Sequence, residues 1–101
     1  MPNKTRLIVS VLLMMCSGLT YAADPNKGAE LYAMHCATCH GVTGISVMPG
    51  APNFAHSEGL MNPDGVLLVT IRSGKAAMPA YRGVLGDQDI LNVIAYLRTL
   101  N

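Results

Sequence analysis

Three neighbouring side chains carry the chemistry of this chain: Cys36, Cys39 and His40, in the run Cys36-Ala37-Thr38-Cys39-His40. Two thiols at this spacing can each form a thioether to one of the two vinyl groups of a single haem. The histidine beside the second thiol then comes under the iron as its proximal ligand. Two covalent bonds would fix the haem's orientation, and His40 would take one axial place. Other chemistries use the same residue types. A dithiol redox site needs a βαβ pattern around the cysteines, and none is visible. A zinc site could draw on Cys36, Cys39 and one of His35, His40 or His56, but it lacks a second ligand pair at finger-like spacing. A disulfide from Cys36 to Cys39 is the plain structural reading for an exported protein. The adjoining His40, and the leader described below, favour haem attachment over all three.

An iron held by His40 has one axial place left. Met34, Met48, Met61, Met78, His35 and His56 are available to fill it. Most methionines fill cores. Met78 has the best case. It lies in an irregular stretch, 38 residues after His40 and beyond an expected helix, so the chain can cross to the opposite haem face. Pro79 stiffens the backbone behind its sulfur. Met48 also precedes a proline, so the dipeptide alone does not choose. Met48 follows His40 by only eight residues, within the loop expected on the proximal side. A thioether is a soft ligand that favours ferrous iron and raises the potential. With both axial places filled, no place remains for substrate, which argues for electron transfer rather than catalysis.

The elements that position these residues follow from local signals. Asp24 caps a helix and Pro25 takes its first position, where the missing N–H costs nothing. Gly28, Leu31, Tyr32, His35 and Cys36 share one face, so a helix is expected from about Pro25 to Cys36. Gly41 to Met61 is broken repeatedly by glycine and proline and is expected to wrap one side of the haem. Asn62 is the expected cap of the next helix, with Pro63 first and Gly74 as terminator. Its run Val66-Leu67-Leu68-Val69-Thr70-Ile71, taken alone, could equally be a buried strand. Ser73 to Gly86 is irregular. Asp87 is the expected cap of the last helix, where Ile90, Val93, Ile94, Leu97 and Leu100 form an apolar stripe and Arg98 suits the dipole.

With 101 residues, the chain is one domain by size. Lys4 and Arg6 precede the apolar run Leu7 to Cys16, and Thr20-Tyr21-Ala22-Ala23 supplies small residues. This pattern predicts a secretory signal peptide over residues 1–22, cleaved after Ala22 or Ala23, with an exported functional domain at 23–101. Cys16 is expected to leave with the leader; Met15 is too large for a lipidation signal before it. The run is short for a membrane span, and no later stretch qualifies. Beyond the leader the 6 Asp and Glu outnumber the remaining Lys and Arg, so nucleic acid is not an expected partner. A domain of about 80 residues with few aromatics and no Trp needs a staple. A covalently held haem would be one.

Together these pieces carry a family likeness over essentially the whole chain after the leader. They are Gly28 and Tyr32 before the Cys36–His40 motif, then Gly50-Ala51-Pro52-Asn53-Phe54, then Met78-Pro79-Ala80-Tyr81. Last comes Asp87-Gln88-Asp89-Ile90, leading to Val93-Ile94-Ala95-Tyr96-Leu97. The chain resembles a small bacterial class I cytochrome c. The resemblance implies an all-α fold of three to four helices and loops around one covalent haem c. It implies that the first and last helices cross in contact, with Gly28 and Tyr32 near Val93 and Tyr96. It further implies that the Pro52 carbonyl accepts a hydrogen bond from Nδ1–H of His40 and fixes its tautomer. The implied function is a periplasmic electron carrier, not an enzyme. Its redox partners would be of the kind the family serves: a nitrite reductase, a dehydrogenase or a terminal oxidase. Arg72, Lys75, Tyr81 and Arg82 are candidates for propionate or partner contacts. The competing readings are a ligand sensor whose Met78 loop swings away, and an accessory that hands haem to a partner enzyme.

Overall fold

Asp24 and Pro25 start the first helix as their types require. The computed structural model of the protein describes Lys4 and residues 22–101; the apolar run of the expected leader, with Cys16, lies outside the described residues. Helix α1 (Pro25–His35) is capped by the Asp24 carboxylate, which accepts from the N–H groups of Asn26 at 2.9 Å and Lys27 at 3.3 Å. The helix stops one residue earlier than its apolar face suggested. Cys36 closes it, its N–H bonded to the Tyr32 carbonyl at 2.9 Å, and a short helix α2 (Ala37–His40) follows at once.

After α2 the chain is irregular except for a single 3₁₀ turn at Phe54–His56. Helix α3 (Asp64–Ser73) comes next, so the apolar run is helical and not a strand. Its cap differs from expectation. Pro63, in extended conformation, holds the flanking place and its carbonyl accepts from Val66 and Leu67. Asn62 instead turns back to donate to the Gly59 carbonyl at 3.1 Å. Helix α3 thus begins one residue later than expected, whereas helix α4 (Asp87–Leu97) begins one residue earlier, with Gly86 in the cap position. The Asp89 carboxylate accepts the Gly86 N–H at 3.1 Å, while Asp87 sits inside the first turn. Glycine has no side chain to return the bond, so only one half of a capping box exists. No strand is found among the described residues, and the fold is all-α as expected.

The α4 stripe is buried as its period demands: Ile90, Val93, Ile94 and Leu97 are each at most 3% exposed. Each such side chain is worth about 1.5–3 kcal/mol of burial. Leu100 lies just past the helix, half-buried against the same cluster. Two small cores result. One gathers Tyr32, Phe54, Leu60, Val93 and Leu97; the other gathers Leu85, Ile90 and Ile94, and Leu31 and Leu67 pack on both.

Helices α1 and α4 meet at Gly28. A Cβ there would stand 1.9 Å from the Asn92 carbonyl oxygen and 2.9 Å from the Val93 nitrogen. Tyr32 and Tyr96 meet edge-on at 5.3 Å beside this crossing. Asn92, buried on α4, accepts at Oδ1 from the Asp24 N–H at 2.9 Å and from Gln88 at 3.1 Å, which ties the start of α1 to α4. Arg98 caps the end of α4 rather than lying in its last turn. Its guanidinium reaches the Leu60 carbonyl at 2.8 Å, the Asn62 carbonyl at 3.1 Å and the Asp64 carboxylate at 2.7 Å. It thus pins the loop that leads into α3 onto the end of α4.

Candidate haem site

The break between α1 and α2 places the two cysteines: Cys36 at the break and Cys39 within α2, followed by His40 at its end. His40 is buried, 8% exposed. Its Nδ1 lies 3.1 Å from the Pro52 carbonyl oxygen. A carbonyl only accepts, so Nδ1 carries the hydrogen and Nε2 keeps its lone pair. Phe54 stacks on the imidazole with centroids 4.4 Å apart and planes 23° apart. The ring is therefore fixed at an edge and at a face. The stacking partner is a tertiary contact with no signal in local sequence.

The loop that brings Pro52 to His40 is tied back to the motif. Gly41 turns the chain with φ of 83°, and a Cβ there would lie 1.8 Å from the Ile45 carbonyl oxygen. The buried Tyr32 hydroxyl donates to the Gly41 carbonyl at 2.6 Å. The N–H groups of Val47 and Met48 both bond the Cys39 carbonyl, at 3.1 and 3.3 Å. Met48 thus belongs to the proximal loop that also carries Pro52.

Burial pushes the Cys36 thiol up to about 11. It is protonated at neutral pH, unlike the lowered thiol of a dithiol redox site. Cys36 and Cys39 are half-buried and are not joined to each other. Among the described residues no three His, Cys, Asp or Glu side chains gather to hold a metal ion, so the zinc reading has no ligand set there.

Met78 lies half-buried in the loop between α3 and α4. Lys75 and Met78 exchange backbone hydrogen bonds at 3.1 and 2.9 Å, which makes a tight hairpin there. Met34 and Met61 are well exposed, at 68% and 93%, and fill no core. His56 is exposed; the His35 ring instead meets Tyr81 edge-on at 5.8 Å. Of the four residues expected at propionates or partners, two are committed elsewhere. Arg72 donates to Asp87 at 3.0 Å, and the Tyr81 hydroxyl donates to the His35 carbonyl at 2.7 Å. Lys75 and Arg82 are exposed.

These residues suit a haem. The donor set is two thiols and an imidazole whose Nε2 is kept as an acceptor. Helix α3 buries none of its side chains although most are apolar; Leu67, Leu68 and Ile71 are half-buried, and Val66 and Val69 are about half exposed. Leu67, Leu68 and Ile71 pack on the core of Leu85, Ile90 and Ile94, and the apolar surface they leave uncovered is what a flat porphyrin could take. Beside Pro52, the buried amide oxygen of Asn53 has no hydrogen-bond partner within the protein. That oxygen is an acceptor and needs a donor, which a deprotonated haem propionate does not offer.

A helical chain of this size, with paired thiols and a tethered imidazole, is built to carry one covalent haem. Comparison with known proteins agrees. The family model for cytochrome c oxidase, cbb3-type, subunit III matches residues 23–97. Cytochrome c6 of Gracilaria tenuistipitata var. liui is 37% identical over 78% of this chain and 75% of its own length. Cytochrome c6 of Synechococcus sp. (strain ATCC 27167 / PCC 6312) is 35% identical over 90% of this chain and 83% of its own. Among solved structures, the KustC0563 c-type cytochrome superposes with a TM-score of 0.66 at 28% identity, covering 73% of this chain and 96% of that one. The chain belongs to the small class I c-type cytochromes. It is an electron carrier with one covalently bound haem c, not an enzyme. No helix among the described residues is long and apolar enough to cross a membrane.

Proposed function

We propose that residues 23–101, freed from the leader 1–22, shuttle single electrons between redox proteins in the periplasm. Cys36 and Cys39 attach the haem, His40 and Met78 are the axial ligands, and Pro52 orients His40. When bound, the haem supplies the one-electron ferric/ferrous couple. The observation that carries this reading is the contact of 3.1 Å between His40 Nδ1 and the Pro52 carbonyl. It keeps Nε2 bare and makes it more basic, as an iron ligand needs. Phe54 holds the ring plane while the charge on the site changes. Little need for movement is what a carrier requires. The sixth ligand is assigned to Met78 because the N–H of Met48 is bonded to the Cys39 carbonyl, on the proximal side. The partners proposed are a nitrite reductase, a dehydrogenase or a terminal oxidase, met through small transient contacts.

Separate Met78→Ala and Met48→Ala variants test the assignment. Met78→Ala is expected to lower the midpoint potential by on the order of 0.1 V or more, within the ~0.8 V range that axial ligands command. It is also expected to abolish the far-red band of a methionine-ligated ferric haem. Met48→Ala is expected to leave both unchanged. The reverse pattern would transfer the ligand role to Met48.

A further inference from the structure

We propose that the Tyr81 hydroxyl is a latch: its hydrogen bond to the His35 carbonyl holds the loop between α3 and α4 closed and so retains Met78 on the iron. The proposal rests on the reading of Met78 as sixth ligand.

The loop from Gly74 to Gly86 is long, irregular and anchored mostly to the helices it connects. Tyr81 N–H bonds the Ile71 carbonyl and Arg82 N–H bonds the Arg72 carbonyl, each at 3.1 Å. The Arg72–Asp87 ion pair closes the neck between α3 and α4. All of these fix the loop to its own ends. None fixes it to the helix that leads into the attachment motif. Leu31 of that helix packs on the core that includes the loop residue Leu85, but among the described residues the bond from Tyr81 to His35 is the one hydrogen bond that joins the two, across 46 positions of sequence, at 2.7 Å.

The acceptor is a carbonyl that α1 cannot satisfy itself, since the last four carbonyls of a helix have no partner within it. His35 is the final residue of α1 and directly precedes Cys36. The latch therefore grips the element that carries the haem thioethers. The ring of Tyr81 adds an edge-on contact to the His35 ring at 5.8 Å. Burial pushes the hydroxyl above its ordinary range, so it is a neutral donor at working pH. Tyr81 follows Met78 by three residues. A hold at 81 limits how far the sulfur can move. Tyr81 is a positioning residue; it acts through Met78.

The test uses the ferric holoprotein and exogenous imidazole, followed by the optical spectrum. Tyr81→Phe keeps the ring and removes only the oxygen. It is expected to tighten apparent imidazole binding about fivefold to tenfold, the worth of one net hydrogen bond. The far-red methionine band should be present before imidazole is added. Met78→Ala alone should bind imidazole more tightly still, and adding Tyr81→Phe to it should change nothing further. Unchanged affinity in Tyr81→Phe would overturn the latch. An equal gain in both backgrounds would overturn it too, because the effect would not pass through Met78. Wild-type affinity in Met78→Ala would overturn the ligand assignment itself, a failure distinguishable from that of the latch.

Discussion

Gly28→Ala is expected to cost the protein about 3 kcal/mol or more, or to prevent folding altogether. In an ordinary helix the same change stabilises, by roughly 0.5–1 kcal/mol, because alanine is the better helix former. Here the added methyl would stand 1.9 Å from the oxygen and 2.5 Å from the carbon of the Asn92 carbonyl. Both are backbone atoms inside α4 and cannot rotate aside. The helices must separate, and the burial of Tyr32, Val93 and Leu97 is lost in part. Overpacking in a core typically costs ~1–3 kcal/mol, and rigid backbone places this case at the upper end or beyond. For a domain of this size each kcal/mol lowers Tm by roughly 4–8 °C, so a fall of at least about 12 °C is expected in thermal unfolding of the holoprotein. A Tm equal to or above that of the wild type would mean that α1 and α4 do not cross at this distance.

The second large effect is expected from Cys36→Ala combined with Cys39→Ala. No haem should remain on the chain after denaturing extraction, and the helical far-UV signal should be mostly lost. The folding argument rests on the small core. Eight buried apolar side chains support the described residues, and α3 contributes none of them. Domains this small usually need a disulfide, a metal or another covalent staple. A covalent haem would be that staple, and without it the apolar core of Leu85, Ile90 and Ile94 is the main support of α3. Single variants should keep at most one thioether. Haem that survives extraction of the double variant would show that attachment uses other residues.

Much of the site was legible because its chemistry is local. Adjacent thiols and imidazole announce themselves within five residues. Asp24-Pro25 starts a helix by rules that need no tertiary context. The stripe on α4 is a matter of period, and its burial followed. The helix crossing at Gly28 and the bond from His40 to Pro52 came through family likeness, and the geometry agrees with both. Cap positions were missed by one residue at α3 and α4. Asn62, Pro63, Gly86 and Asp87 are all acceptable near a helix start, and the choice fell to particular contacts: Asn62 with Gly59 and Asp89 with Gly86, each three residues apart, and Asp87 with the more distant Arg72. Phe54 on His40, Arg98 on the 60–64 segment and Tyr81 on His35 join residues far apart in sequence. No local pattern encodes them. The Met-Pro dipeptide occurs at both 48 and 78, and it is tertiary context, the bond of Met48 to Cys39 and the hairpin of Met78 with Lys75, that separates their surroundings.

The most direct measurement is the optical spectrum of the protein, exported from a host with c-type haem maturation, reduced, with and without carbon monoxide. A low-spin reduced spectrum that carbon monoxide leaves unchanged is the result predicted by the proposed axial pair of His40 and Met78. Ready binding of carbon monoxide by the wild-type protein would contradict the account, for it would mean an open sixth site and a chain fitted to sense or transform a ligand.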